Sequence, residues 1–201
     1  LDNRECTEDE ELNERQVHDY RHTIGQLMWT PSERPDLSFA VKELARNMSK
    51  PTTRNAAQLK RVLRYLRGTT EAHLHLAVDQ AEAMVINGIV DASWASGPGR
   101  KSTSGGVVKL QGFLLAHWSR TQVSIAQSSC EAEIVAMNVG AVEAVFTKTL
   151  LDELGVQANI LMKSDSTSGI ALMQRRGLGR LRHLQVKELW LQDKVREGDI
   201  Q

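Results

Sequence analysis

The chain has 201 residues, enough for one domain with a full hydrophobic core and a smaller helical segment. Its 25 Lys and Arg residues balance its 25 Asp and Glu residues, so the net charge excludes no class of partner. Two cysteines, far apart and without metal-ligand spacing, argue against a disulfide scaffold and favour a reducing compartment. We find no apolar run of the roughly 20 residues that a membrane span needs, and no secretory signal.

The first 16 residues are acidic and lack apolar periodicity, so we expect a flexible linker there. Residues 17–78 predict a helical segment of three amphipathic helices. Pro35 suits the first turn of the second helix, which ends before Pro51, and Gly68 is the predicted stop of the third. Basic residues line the outward faces of these helices, which is typical either of a nucleic-acid contact or of a solvated surface.

The order of strand and helix patterns in residues 79–201 is typical of an α/β domain. "AMVINGIVDASW" predicts a strand that ends at Asp91, and "GVVKL" and "FLLAHWSR" predict a hairpin around Gln111 and Gly112. A long helix is predicted over residues 128–154, followed by a strand ending at Asp165 and by two further helices. This order implies a mixed sheet, flanked by helices, with at least one parallel crossover.

Three carboxylates fall where such a sheet gathers ligands, because Asp91 and Asp165 end strands and Glu131 lies in the first turn of the long helix. Each also has an ordinary structural interpretation. Asp91 can open a turn, and Asp165 can cap the helix that follows it. Glu131 can form a capping box with Ser128.

The predicted orientation of the long helix favours a metal-binding role for Glu131. Glu131 lies four residues before the start of an apolar stripe that we expect to face the sheet: Val135, Val139, Val142, Phe146, Leu150 and Leu154. Glu133 is roughly 200° further around the helix and is expected to point away. A carboxylate in line with a core stripe needs a partner, and a divalent cation would reconcile it with the two strand-end acids.

Several motifs of this chain resemble those of a known family. "VDASWASGPGRKSTSGG", "LAHWSRTQVSIAQSSCEAEIVAM" and "KSDSTSGIAL" are similar to the ribonuclease H domain of copia-type retrotransposon Pol polyproteins. "YRHTIGQLMWTPSERPDLSFAVKELAR" and "LKRVLRYLRGT" resemble the segment that connects reverse transcriptase to that domain. The resemblance extends from about Tyr20 to Ile200, and the chain has no Tyr-x-Asp-Asp polymerase motif.

The resemblance implies a ribonuclease H-like mixed sheet that hydrolyses the RNA strand of RNA/DNA hybrids during reverse transcription. It implies that Asp91, Glu131 and Asp165 are the catalytic acids and hold Mg²⁺, in a two-metal site where Mn²⁺ can substitute. The implied partners are the hybrid and the reverse transcriptase portion of the same polyprotein, without a membrane. The implied location is a cytoplasmic virus-like particle or the nucleus.

The resemblance also suggests residues for nucleic-acid contacts. Hydroxyls near the acids are candidates for the 2′-hydroxyl groups of RNA: Ser93, Ser128 and Ser166. Lys101 and the loop from Arg175 to Arg182, with Arg175 and Arg180 foremost, are candidates for backbone phosphates. A solvated surface charge is an equally good interpretation of these basic residues.

The chain departs from the family pattern at the fourth acid. We expect that acid on a terminal helix beyond Gln201. The family pattern offers a second position for it, and this chain has Gln185 at that position. The domain is therefore expected to be truncated at its carboxyl end, with a weak second metal site and an open sheet edge. Two alternatives to a nuclease stay open, namely a catalytically impaired nucleic-acid-binding remnant and a module that positions a polymerase.

Overall fold

The computed structural model describes residues 9–75, 78–79, 83–177 and 186–201. Two compact units divide the chain, Leu1–Leu74 and His75–Gln201. The helices of the first unit are α1 Glu14–Leu27, α2 Ser38–Arg46 and α3 Thr53–Gly68, with short 3₁₀ turns at Thr30–Ser32 and Pro35–Leu37. The second unit contains β1 Val85–Ser93, β2 Thr103–Leu110, β3 Phe113–Thr121, α4 Ser129–Glu153, β4 Asn159–Lys163, α5 Thr167–Met173 and α6 Val186–Glu197, with a 3₁₀ turn at Pro98–Arg100.

The first unit is held together by one apolar face from each helix. Its buried core consists of Tyr20, Ile24, Leu27, Leu37, Val41, Leu44, Leu59 and Val62. The Tyr20 hydroxyl donates to the Leu44 carbonyl at 2.8 Å, and burial raises the pKa of Tyr20 to about 12. The amphipathic character predicted for the third helix is confirmed, because Leu59 and Val62 are buried on α3, whereas Leu63 is exposed.

Residues 9–16 differ from the flexible linker predicted for them, because they form part of the helical unit. Asn13 caps α1 in a capping box with Gln16, so the helix begins earlier than its apolar pattern suggests. Just before the cap, the Leu12 amide donates to the Pro51 carbonyl at 3.1 Å. The remainder of the predicted linker, residues 1–8, lies outside the described residues.

The sheet of the second unit has the strand order β3-β2-β1-β4. The pairs β1–β2 and β2–β3 are antiparallel, and β1 and β4 are parallel. The predicted hairpin is confirmed, with Gln111 and Gly112 at φ 48° and 78° in the tight turn. The mixed α/β sheet flanked by helices is therefore the fold class that the sequence predicts. Because β1 and β4 run in the same direction, their carboxyl ends meet at one edge.

The outer edge of β4 is partly covered, which corrects the open edge expected from the sequence. Ile200 forms a parallel bridge with Ile160, and the Gln201 amide donates to the Ile160 carbonyl at 3.0 Å. The Met162 amide in turn donates to the Gln201 carbonyl at 2.8 Å. Ile200 and Gln201, which follow α6, thus extend the parallel pairing beyond β4.

Helix α4 approaches the sheet closely through small residues. A Cβ atom added at Gly140 would lie 2.4 Å from Cγ1 of Val90, and Trp118 covers Gly106 on the same face of the sheet. The buried face of α4 consists of Ala132, Glu133, Ile134, Ala136, Met137, Gly140, Ala141 and Ala144. Among the described helices, α4 alone is long and apolar enough to cross a membrane by length and composition, but it packs here as a core helix.

The apolar stripe predicted to face the sheet is wrong for the second half of α4. Four of its members are exposed, namely Val142, Phe146, Leu150 and Leu154. Large β-branched and aromatic side chains on the inner face would hold the helix away from the sheet. The helix therefore approaches the sheet most closely at Gly140, on the face that also carries buried alanines.

We expect Gly140→Ala to lower the free energy of unfolding by about 1–3 kcal/mol, because the added methyl overlaps Val90 and Met162. Gly25→Ala in α1 is the matched control, since no neighbouring atom lies within 4 Å of its added Cβ. That control should be neutral or stabilise by about 0.5–1 kcal/mol. Urea unfolding followed by circular dichroism measures both. A Gly140→Ala chain as stable as the parent would contradict the close helix–sheet contact.

Candidate metal centre

Three carboxylates from three elements meet at the edge where β1 and β4 end. Asp91 comes from β1, Glu133 from the second turn of α4, and Asp165 from the segment between β4 and α5. Each offers an oxygen atom, and these oxygens lie within 4.8 Å of one another. Asp91 and Asp165 are exposed to solvent, whereas Glu133 is buried. The parallel pairing of the strands brings the two aspartates together, as predicted from the sequence.

The carboxylate of Glu133 is the least satisfied member of the cluster. The Ala92 backbone amide forms a hydrogen bond with it, but its Oε2 atom is buried and has no hydrogen-bond partner among the described residues. Burial raises the pKa of Glu133, and the charges of Asp91 and Asp165 raise it further. An unpaired, buried carboxylate oxygen beside two more acids is an environment that a divalent cation fits.

The structure corrects the role expected for Glu131. Its carboxylate turns back along the chain, where Oε2 accepts a hydrogen bond from the Gln127 amide at 2.7 Å. Its own amide donates to the Ser128 hydroxyl at 3.2 Å, so Ser128 is the N-cap of α4. Glu131 thus stabilises the start of the helix, and the prediction that it faces the sheet while Glu133 points away is wrong.

The sequence contains a signal that favours Glu133 without deciding the buried face of α4. Ala136, Gly140 and Ala144 follow Glu133 at intervals of three or four residues, and all are buried. A stripe of small residues marks the face on which a helix can approach its neighbour most closely. Selecting the face by side-chain size, instead of by hydrophobicity, therefore points to Glu133.

A buried amide fixes α4 beside the acids. The Gln122 Nε2 atom donates to the Ser104 hydroxyl at 2.9 Å and to the Ala132 carbonyl at 2.8 Å. Ser104 belongs to β2, next to the residue that pairs with Asp91, and Ala132 precedes Glu133. This side chain therefore ties β2 to the turn of α4 that carries the buried acid.

The serines predicted to contact nucleic acid lie around the acidic centre with different local roles. Ser93 is exposed and stands two residues after Asp91, on the same side of β1. Ser128 and Ser166 are the N-caps of α4 and α5, and their hydroxyls accept hydrogen bonds from backbone amides. Contact of these residues with nucleic acid stays a prediction.

The predicted basic contacts are described in part. Lys101 is exposed in the loop between β1 and β2, and Arg175 is exposed after α5. Arg180 and Gln185 lie outside the described residues, so their predicted roles stay predictions.

The fold and the site together define an α/β domain with an acidic centre suited to a divalent cation. No family model matches the chain. The chain is 35% identical over 140 residues, 69% of its length, to the retrovirus-related Pol polyprotein from transposon RE2 of Arabidopsis thaliana. It is 30% identical over 185 residues, 90% of its length, to the retrovirus-related Pol polyprotein from transposon TNT 1-94 of Nicotiana tabacum. We conclude that the chain belongs to the family of retrovirus-related Pol polyproteins.

The chain spans only 10% and 14% of the lengths of these two relatives. Both relatives come from plant transposons, which is consistent with the copia type but does not distinguish it. Among solved structures, the N-terminal ribonuclease H domain of Rv2228c from Mycobacterium tuberculosis is 21% identical, with a TM-score of 0.33. That match covers 56% of this chain and 73% of the other.

We expect Glu133→Gln to stabilise the metal-free protein at neutral pH. A raised pKa means that the folded chain binds this proton more tightly than the unfolded chain, so the free energy of unfolding falls as pH rises through the interval between the ordinary and raised values. Above that interval the charged Glu133 opposes folding, and glutamine removes the charge. Urea unfolding in EDTA at neutral and acid pH measures the difference, which should vanish in acid.

Glu131→Gln is the matched control for that comparison. It weakens the hydrogen bond from the Gln127 amide, so it should lower the free energy of unfolding by about 0.5–1.5 kcal/mol. A Glu133→Gln chain that is less stable than the parent at neutral pH in EDTA would contradict the acidic repulsion described above.

Proposed function

We propose that this chain hydrolyses the RNA strand of RNA/DNA hybrids during retrotransposon reverse transcription, as a metal-dependent ribonuclease H-type endonuclease. One observation carries the proposal: three carboxylates converge within 4.8 Å, and the innermost has a buried oxygen without a partner. Membership of the Pol polyprotein family supports the retrotransposon context.

Asp91, Glu133 and Asp165 would hold Mg²⁺, with Mn²⁺ as a substitute and two ions as the expected number. Bound ions of this kind activate a water molecule and stabilise the oxygen that leaves the scissile phosphate. The protein's own part is to hold the three carboxylates in place. The β1–β2 ladder fixes Asp91, the Gln122 side chain holds the turn of α4 that leads to Glu133, and the turn before α5 positions Asp165.

The substrate contacts proposed around this centre are those of a hybrid. Ser93, Ser128 and Ser166 provide hydroxyls for the 2′-hydroxyl groups that distinguish RNA from DNA. Lys101 and Arg175 provide exposed charges for backbone phosphates. The reverse transcriptase portion of the same polyprotein is the proposed protein partner, which would deliver the hybrid.

We expect the parent chain to cut the RNA strand of a labelled hybrid in Mg²⁺ or Mn²⁺ and not in EDTA. Glu133→Gln should lower the rate by at least about 100-fold, because it removes a charged ligand from the centre. Asp91→Asn and Asp165→Asn should do the same. Glu131→Gln, outside the centre, should retain most of the parent rate. Gel analysis of the 5′-labelled RNA strand at fixed protein concentration measures all four variants.

Equal losses in Glu131→Gln and Glu133→Gln would contradict the assignment of Glu133. Hybrid binding by a folded parent that cuts nothing in either metal would overturn the nuclease proposal and favour the nucleic-acid-binding remnant. Absence of hybrid binding would favour the module that positions a polymerase.

Metal binding has a readout that does not depend on cleavage. We expect the free Mn²⁺ signal in electron paramagnetic resonance to fall when the parent or the Glu131→Gln chain is added. Glu133→Gln should abolish most of this decrease, because it removes one of three charged ligands. An unchanged decrease with Glu133→Gln would place the bound Mn²⁺ elsewhere.

A further inference from the structure

A large aromatic side chain is exposed in the segment that follows Asp91 along the chain. Trp94 lies three residues after Asp91, at the exit of β1, and its side chain is 49% exposed. Its indole N–H has a partner, since Nε1 donates to the Ala126 carbonyl at 3.0 Å. Ala126 is itself buried, in the link between β3 and α4. The hydrogen bond therefore joins the two segments that lead into the acidic centre.

The same link carries two more exposed apolar side chains, Val123 at 91% and Ile125 at 56% exposure. We call Trp94, Val123 and Ile125 the apolar shelf. The link is fixed at both ends, by the buried amide of Gln122 and by the hydrogen bond from the Gln127 amide to Glu131. Four hydrogen bonds thus hold the backbone segments that carry the shelf, whereas the three side chains themselves are exposed to solvent.

The surroundings of the shelf suit a polyanion with apolar edges. Arg100 and Lys101 are exposed in the loop that begins with Trp94. Ser102, buried at the end of that loop, accepts a hydrogen bond from the Ala95 amide at 3.0 Å, which holds the loop against β2. Exposed apolar side chains and cations, carried by the segments that lead to and from the acids, match the sugar–phosphate backbone of a nucleic acid, in which carbon-rich sugar rings alternate with phosphates.

We propose that the apolar shelf contacts the sugar rings of the RNA/DNA hybrid beside the phosphate held at the acidic centre. This inference rests on the proposed function and adds Trp94 to it as a substrate-contacting residue. The bases of a duplex are stacked on one another, so their faces are closed to the indole, whereas the sugar edges in the shallow minor groove are open. The contact is therefore independent of base sequence and sets the position of the hybrid along the centre.

The test compares Trp94→Ala and Trp94→Phe with Trp29→Ala as the matched control. Trp29 is 82% exposed in the helical unit and belongs to no part of the acidic centre. Dissociation constants for a fluorescein-labelled hybrid are measured in an Asp91→Asn background, so that the hybrid is not cut. Mn²⁺ binding is measured with Asp91 intact. Trp94→Ala should weaken hybrid binding roughly tenfold, because it removes buried apolar area, while Mn²⁺ binding stays unchanged. Trp94→Phe should remain within about threefold of the parent, since the apolar ring is retained.

The phenylalanine variant separates contact from loop support. Both Trp94 variants lose the hydrogen bond to Ala126, so equal losses of hybrid affinity would show that only the loop geometry matters and would overturn the contact. A parallel loss of Mn²⁺ binding, or an equal loss in Trp29→Ala, would overturn it as well. So would an equal loss of affinity for single-stranded RNA, which indicates base stacking.

The outcomes also separate the shelf from the proposed function. Cleavage by the parent with unchanged affinity and rate in Trp94→Ala would overturn the shelf and leave the nuclease standing. A parent that binds no hybrid would overturn both. Hybrid binding that depends on Trp94 in a chain that never cuts would support the shelf and overturn the nuclease.

Discussion

The close approach of α4 to β1 is the constraint on which the rest of the second unit depends. Gly140 leaves no space for a methyl group between the helix and Val90, so the rotation of α4 about its axis is fixed. With that rotation, Glu133 is directed to the edge of the sheet, where Asp91 and Asp165 end their strands. A different inner face of the helix would remove the buried acid from the site.

The acidic centre opposes folding when no cation is bound. Its carboxylates repel one another at short range, and the buried oxygen of Glu133 has lost its water without gaining a hydrogen bond. Groups in this condition are typical of sites where function, and not stability, selects the residue. Under the proposed function, cation binding reverses the penalty, since a ligand that binds only the folded chain stabilises it.

Glu131, which the helix pattern predicts as a metal ligand, has a structural role beside the centre. Glu131 holds the Gln127 amide and thereby the link that presents Ile125 and Ala126. Trp94 holds the same link between β3 and α4, because its indole N–H donates to the Ala126 carbonyl. These hydrogen bonds connect the start of α4 to the end of β1, and the connected segments carry both the buried acid and the apolar shelf.

The sequence by itself determined the order of helices and strands, the hairpin at Gln111 and Gly112, and the two aspartates, because turn chemistry and strand ends are local properties. It did not determine which face of α4 is buried. Hydrophobic periodicity favoured the face of Val142 and Phe146, since it weighs apolar character and ignores size. The tertiary structure decided for Glu133, because the helix approaches the sheet most closely at Gly140, where a Cβ atom would overlap Val90.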